Sequence, residues 1–135
     1  MRIQRRFTKE GQDAYAGLGF RRTTSEIRNP DGSVVFQQTD IEVPENYSQV
    51  ASDILAQKYF RKAGVPVALK AVEENTVPSW LWRKAADDQA LSALPKEKRF
   101  SGEKSAKQVF DRLAGTWTYW GWKGGYFDTE SDARA

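Results

Sequence analysis

The segment from Ser105 to Phe127 constrains the fold more than any other. It holds three of the five tryptophans, Trp117, Trp120 and Trp122, together with Phe110, Tyr119, Tyr126 and Phe127. Val109, Phe110, Leu113, Trp117 and Trp120 recur at i, i+4, i+7 spacing, a stripe widened by Ala106 and Thr116. That period belongs to an amphipathic helix. Ser105 and Gln108 fit a capping box, in which each side chain satisfies the other residue's backbone N–H. The spacing predicts a helix over 105–122, broken by the glycine-rich run that begins at Gly121. Each large aromatic ring carries roughly 150–250 Å² of surface. A chain of 135 residues is one ordinary domain or a piece of one. It cannot enclose all of these rings, and an aromatic face left outside marks an interaction site. The stripe is therefore expected to meet another protein surface.

The remaining elements are read from local signals. Residues 1–22 show weak periodicity and several glycines, so an extended arm or loop is expected. Gly17-Leu18-Gly19 lacks the third glycine and the strand–helix context of a phosphate loop. A β-hairpin is predicted over 23–43, turning at Asn29-Pro30-Asp31-Gly32, with Pro44 closing the second strand. A helix is predicted over 46–63. Asn46 or Ser48 would cap it, Val50, Ala51, Ile54, Leu55 and Tyr59 would lie on its apolar face, and Gly64 would end it at C′. Lys58, Arg61 and Lys62 would suit the negative end of its dipole. Residues 67–84 read as irregular, with Trp80 and Trp82 alternating so that an extended backbone would turn both rings to one side. Core or interface packing of these two rings competes with a base- or sugar-stacking platform. A short helix is predicted over 87–94, capped by Asp87 or Asp88 and anchored by Leu91 and Leu94. Residues 96–104 read as a charged, exposed connection.

The whole is an α+β chain: an N-terminal β-hairpin followed by mainly α-helical segments. Two regions are expected, 1–45 as basic arm and hairpin and 46–135 as a helical part. The second closes on Asp128 to Ala135, which carries a helix-start signal: Asp128 or Thr129 as N-cap, then Glu130 and Asp132 in the first turn. One turn is a costly nucleus without propagation. The expectation is a chain truncated at the start of a further helix.

Composition removes whole classes of chemistry. There is no Cys and no His. Thiol nucleophiles, disulfides, Cys/His zinc sites and histidine general bases are excluded. No apolar run approaches a membrane span and no signal-peptide h-region follows the basic start, so a cytoplasmic location is expected. The net charge of +3 is unevenly spread. Arg2, Arg5, Arg6, Lys9, Arg21, Arg22 and Arg28 stand against only Glu10, Asp13 and Glu26 in the first 30 residues. Such an arm is either solvated, or docked on an acidic surface of its own protein, or used to bind phosphates.

Three stretches resemble one family. Ser25 to Phe36 (SEIRNPDGSVVF), Ala56 to Pro66 (AQKYFRKAGVP) and Ser105 to Phe127 (SAKQVFDRLAGTWTYWGWKGGYF) are similar, in order and in register, to the N-terminal region of adenosylcobalamin-dependent (class II) ribonucleotide reductases. The resemblance implies a partial domain of a larger α/β-barrel enzyme, a ribonucleoside-diphosphate reductase making deoxyribonucleotides for DNA synthesis. In such enzymes adenosylcobalamin supplies a radical to an active-site Cys, which attacks the ribose at its 3′ position. A Cys pair supplies electrons and is rereduced by a thioredoxin-type partner. Nucleotide effectors and a homodimer are implied as well, as is contact with the remainder of the reductase chain.

With no Cys in the sequence, none of the family's catalytic, cobalamin-binding, metal or allosteric residues can be placed on positions 1–135. The expected role is scaffold, with Trp117, Trp120 and Trp122 packing on the barrel or a neighbouring segment. Alone, the chain is expected to bind no cobalamin, reduce no nucleotide and self-associate. Two other readings compete. One is a small nucleic-acid-binding module using Arg2, Arg5, Arg6, Arg21 and Arg22 with tryptophan stacking. The other is a free-standing interaction protein, such as an inhibitor or assembly factor.

Overall fold

A computed structural model describes all 135 residues. The architecture is α+β, a β-hairpin with several short helices and one long one. The chain gathers into two compact units. One comprises residues 19–68 and 86–111, the other 1–18, 69–85 and 112–135.

In the first unit, β1 (Phe20–Arg28) and β2 (Val34–Pro44) form an antiparallel hairpin. Its turn uses the predicted chemistry. Gly32 adopts φ +89° and donates its N–H to the Asn29 carbonyl at 2.9 Å, while the Asp31 carboxylate accepts from the backbone N–H of Ser33 at 2.8 Å. This is the local geometry that Pro-Asp-Gly favours. Register slips occur between Thr23 and Ser25, and Asp40 on the facing strand takes φ +54°. These are the marks of a bulge, which re-aims the strand. Beyond it Ile41 and Val43 point fully into the core.

The predicted helix over 46–63 is shorter and changes pitch. Ser48, not Asn46, caps α1 (Gln49–Ile54), its hydroxyl accepting from the Ala51 N–H at 3.1 Å. Leu55–Tyr59 then forms a single π turn, closed by Phe60 N–H to the Leu55 carbonyl at 3.1 Å. Phe60 is already extended, so Gly64 is not the C′ residue. The expected apolar face is also corrected. Leu55, Ala56 and Phe60 are buried, whereas Val50, Ile54 and Tyr59 face outward. The buried side of α1 includes the polar Ser52, whose hydroxyl donates to the Ser48 carbonyl at 2.9 Å and accepts from Arg21 at 3.3 Å. Lys62 still serves the helix end, by donating from outside it to the Ala56 carbonyl while lying 4.6 Å from the Phe36 ring centroid.

A short ladder pairs β3 (Val65–Pro66) with β6 (Phe100–Ser101). The helix expected over 87–94 is α2 (Asp88–Ser92), capped by Asp87 through the Ala90 N–H at 3.1 Å, with Leu91 buried. The connection over 96–104 is not exposed throughout, because Glu103 is 2% exposed. A Cβ at Gly102 would lie 2.7 Å from the Lys62 carbonyl oxygen. Glycine permits that approach, and it draws Glu103 inward, where its N–H reaches the Arg61 carbonyl at 2.8 Å.

The long helix α3 (Ala106–Lys123) starts where the capping signal placed it. Gln108 reaches back to the Ser105 N–H at 3.0 Å. The Ser105 hydroxyl departs from the full box. It donates to the Glu42 carboxylate at 2.6 Å and accepts from the Lys107 N–H at 3.2 Å. Ala106 and Val109 complete the core of this unit.

The second unit has a thinner interior. Val77 and Leu81 are its buried apolar residues. A short pair, β4 (Leu69–Ala71) with β5 (Lys84–Ala86), flanks a loop whose Ser79–Leu81 turn is 3-10 helical. That turn overrides the extended geometry expected for Trp80 and Trp82. The chain closes on α4 (Glu130–Arg134) with a full capping box between Thr129 and Asp132. The basic arm is docked on an acidic surface at its start. The Met1 amino group pairs with Asp128 and donates to the Tyr126 carbonyl at 2.7 Å, and Ile3 N–H donates to Asp132 at 2.9 Å.

Candidate functional site

The strongest candidate is the face of α3 between Arg112 and Lys123, together with the loop over 72–82 in the same unit. At 100° per residue, Tyr119, Trp122 and Lys123 share one side of the helix, while Trp117 and Trp120 lie on another. The first side is held by loop atoms. Glu74 accepts from the Tyr119 hydroxyl at 2.6 Å and from the Lys123 ammonium. The Trp122 indole N–H donates to the Thr76 carbonyl at 2.8 Å. Trp82 donates to the Val77 carbonyl at 2.9 Å and the Glu74 carbonyl at 3.1 Å. Arg83 lies 5.8 Å from the Tyr119 ring centroid.

The electrostatics of this cluster are complementary. The Lys123 ammonium and then the Tyr119 hydroxyl hold the Glu74 carboxyl below its usual range. Glu74 in turn raises both Tyr119 and Lys123. At neutral pH the set is therefore a carboxylate, a neutral phenol and an ammonium, each in its resting form. Such a network fixes the rotation of α3 and offers no activated nucleophile or proton shuttle.

With that side fixed, the other is presented outward. Trp117 and Trp120 are each 64% exposed and Tyr126 is 65% exposed. Trp122, expected to share the outward role, is half-buried and tied to the loop. Trp80 and Trp82 are held by different partners. Trp80 donates to Glu130 at 2.6 Å and has the Arg134 guanidinium 4.2 Å from its ring centroid. The arginines of the nucleic-acid reading are partly spent within the fold. Arg21 donates to the Tyr47 carbonyl at 2.8 Å, Arg22 to the Asp40 carbonyl at 3.1 Å and Arg5 to Thr8 at 3.1 Å, while Arg2 and Arg6 are exposed on the arm. The network around Glu74 escaped sequence reasoning. Glu74 is 45 positions from Tyr119, and no local pattern announces the pairing.

The family pattern described as class II vitamin B12-dependent ribonucleotide reductase matches residues 21–135. The chain belongs to that family. Within the reductase family it corresponds to the N-terminal region. It is 67% identical over all 135 residues to the vitamin B12-dependent ribonucleotide reductase of Agrobacterium fabrum and, at the same identity and extent, to that of Bradyrhizobium diazoefficiens. A third relative of the same name, from Rhodopirellula baltica, is 28% identical over 123 residues, 91% of this chain and 9% of that one. The chain spans 11% of the length of the first two reductases.

No group of three or more His, Cys, Asp or Glu is placed to hold a metal ion. The recess on the arm, lined by Phe7, Lys9, Gln12 and Asp13 among others, encloses about 210 Å³, below the roughly 300–1,000 Å³ of small-ligand pockets. No helix is long and apolar enough to cross a membrane.

Proposed function

We propose that these residues are the N-terminal scaffold of a cytoplasmic, adenosylcobalamin-dependent ribonucleoside-diphosphate reductase, and that the catalytic cysteines and the cofactor site belong to other parts of that enzyme. The whole enzyme reduces ribonucleotides to deoxyribonucleotides for DNA synthesis. It answers to nucleotide effectors, works as a homodimer around an α/β barrel and is rereduced by a thioredoxin-type partner. Identity of 67% over all 135 residues to the matching part of two reductases, in a chain with no Cys, is the observation that carries this reading. No residue of this chain enters the chemistry. Its contribution is the face bearing Trp117 and Trp120, which packs on the remainder of the reductase chain.

The test is a replacement. The Agrobacterium fabrum reductase is made with this chain in place of its own 67%-identical segment. The chimera is expected to reduce ribonucleoside diphosphates only with added adenosylcobalamin and a dithiol, and the isolated chain is expected to turn over none. A chimera that folds but is inactive would refute the assignment, as would turnover by the isolated chain.

A further inference from the structure

We propose that Asp31-Gly32 is the chain's site of spontaneous rearrangement to isoaspartate, and that Ser33 sets its rate. Asp31 is the only Asn or Asp in the sequence followed by glycine. Glycine carries no Cβ to hinder the approach of its own nitrogen to the preceding side chain. Asn29 to Ser33 are all exposed, so water reaches the bond. In the rearrangement the Gly32 nitrogen bonds to Cγ of the Asp31 carboxyl. The amide proton and the carboxyl's hydroxyl leave as water, and a succinimide ring remains. Water then opens either carbonyl of the ring. One opening restores aspartate; the other leaves the main chain running through the Asp31 side chain. The water lost in the first step is regained in the second, and no oxidant or cofactor takes part.

The turn holds both reacting groups back. The nucleophile is the Gly32 nitrogen, whose N–H is committed to the Asn29 carbonyl at 2.9 Å. The electrophile has to be the neutral acid, because an ionised carboxylate has no hydroxyl to expel. Ser33 favours the ionised form. Its hydroxyl donates to the Asp31 carboxylate at 2.6 Å and its backbone N–H at 2.8 Å. These two bonds hold the Asp31 carboxyl below its usual range. The Asn29 side-chain amide donates to the Ser33 hydroxyl oxygen at 3.0 Å, which leaves the hydroxyl proton for Asp31. Rearrangement would add a methylene to the main chain at the turn. It would draw the Gly32 carbonyl away from Arg28, which donates to it at 2.9 Å, and open the hairpin at the pairing of Arg28 with Val34.

The test is ageing of the chimera in neutral buffer. Isoaspartate is counted by chromatography of the tryptic peptide over 29–58, whose isomers have equal mass. Methyl transfer to that peptide from S-adenosylmethionine by an isoaspartate methyltransferase gives a second count. The folded chimera is expected to convert several-fold more slowly than the same protein in urea. Ser33→Ala should convert several-fold faster than the folded parent, and at the parent's rate once both are in urea. Ser33→Thr keeps the hydroxyl and the N–H and should stay slow. Asp31→Glu cannot close the same ring and should end methylation of the peptide. Equal rates for the folded and the urea-unfolded parent would overturn the proposal. So would a Ser33→Ala rate equal to the folded parent's, a Ser33→Thr rate equal to that of Ser33→Ala, or isoaspartate arising first at another aspartate of the chain.

Discussion

Ile3 and Asp132, 129 positions apart, are joined by a 2.9 Å hydrogen bond from the Ile3 N–H to the Asp132 carboxylate. The other oxygen of that carboxylate accepts from the Thr129 N–H at 2.9 Å and the Thr129 hydroxyl at 2.6 Å. One buried side chain therefore closes the capping box of α4 and holds down the arm.

Thr129 and then Ile3 keep the Asp132 carboxyl below its ordinary value. A depressed folded-state value means that its stabilisation is complete above the unfolded carboxylate range near pH 4 and is lost as pH falls through the folded value. Hydrogen exchange at the Ile3 and Thr129 amides, the two that donate to this carboxylate, should show protection that disappears only in that acidic window. Asp132→Asn should abolish the pH dependence; a pH dependence that persists in the variant would show that it does not come from this carboxylate. Thr129→Ala removes the N-cap and should cost about 1 kcal/mol in the stability of this unit, read by denaturant titration.

The bond to Glu74 raises Tyr119 above the ordinary phenol value near 10. Alkaline titration followed at the phenolate band, with Tyr119→Phe subtracted, should give a midpoint above the ordinary phenol value. Glu74→Gln should bring it back. Because Lys123 is raised by the same carboxylate, the stabilisation from Tyr119 and Lys123 is whole below their unfolded values and lost as pH rises through the folded ones. On the acid side, the depressed Glu74 loses its share as pH falls. A Tyr119 midpoint indifferent to residue 74 would contradict the network.

Glycines 102 and 115 should respond in opposite directions to alanine. At Gly102 the new methyl meets the Lys62 carbonyl at 2.7 Å, backbone that cannot swing aside, whereas at Gly115 nothing lies within 4 Å. Gly115→Ala, inside α3, should raise stability by up to about 1 kcal/mol. Gly102→Ala should lower it and expose Glu103. Equal denaturation midpoints for the two variants would contradict the close approach.

Ile41 has no exposed surface, and Ile41→Ala should cost roughly 2–5 kcal/mol. Replacing both Trp117 and Trp120 by Lys should change stability by no more than about 0.5 kcal/mol. The same double variant should reduce self-association of the isolated chain in sedimentation velocity. Unfolding of that variant would place the indoles in the interior.

What was legible in the sequence was local. Ser48, Asp87, Thr129 and the Asn29–Gly32 turn are recognisable because each side chain serves backbone groups within a few residues of itself. The start of α3 was readable for the same reason, although Ser105 spends its hydroxyl proton on Glu42, a partner 63 positions away. The π turn has no such local signature. Without it the stripe through Ile54 reads as the inner face, when the change of pitch in fact turns Leu55 and Phe60 inward. Glu103 was misread because its burial is decided by the passage of Gly102 against the Lys62 backbone, and the Glu74 network because all its pairings are long-range.

The outward setting of Trp117 and Trp120 has a practical corollary. Two of the five indoles stand mostly in water, while Trp80, Trp82 and Trp122 each donate their N–H to a protein acceptor. The chain thus carries an intrinsic fluorophore pair at the surface where assembly is proposed. Its emission will move to shorter wavelength as that surface is covered, so joining to a larger body can be followed in real time without a dye.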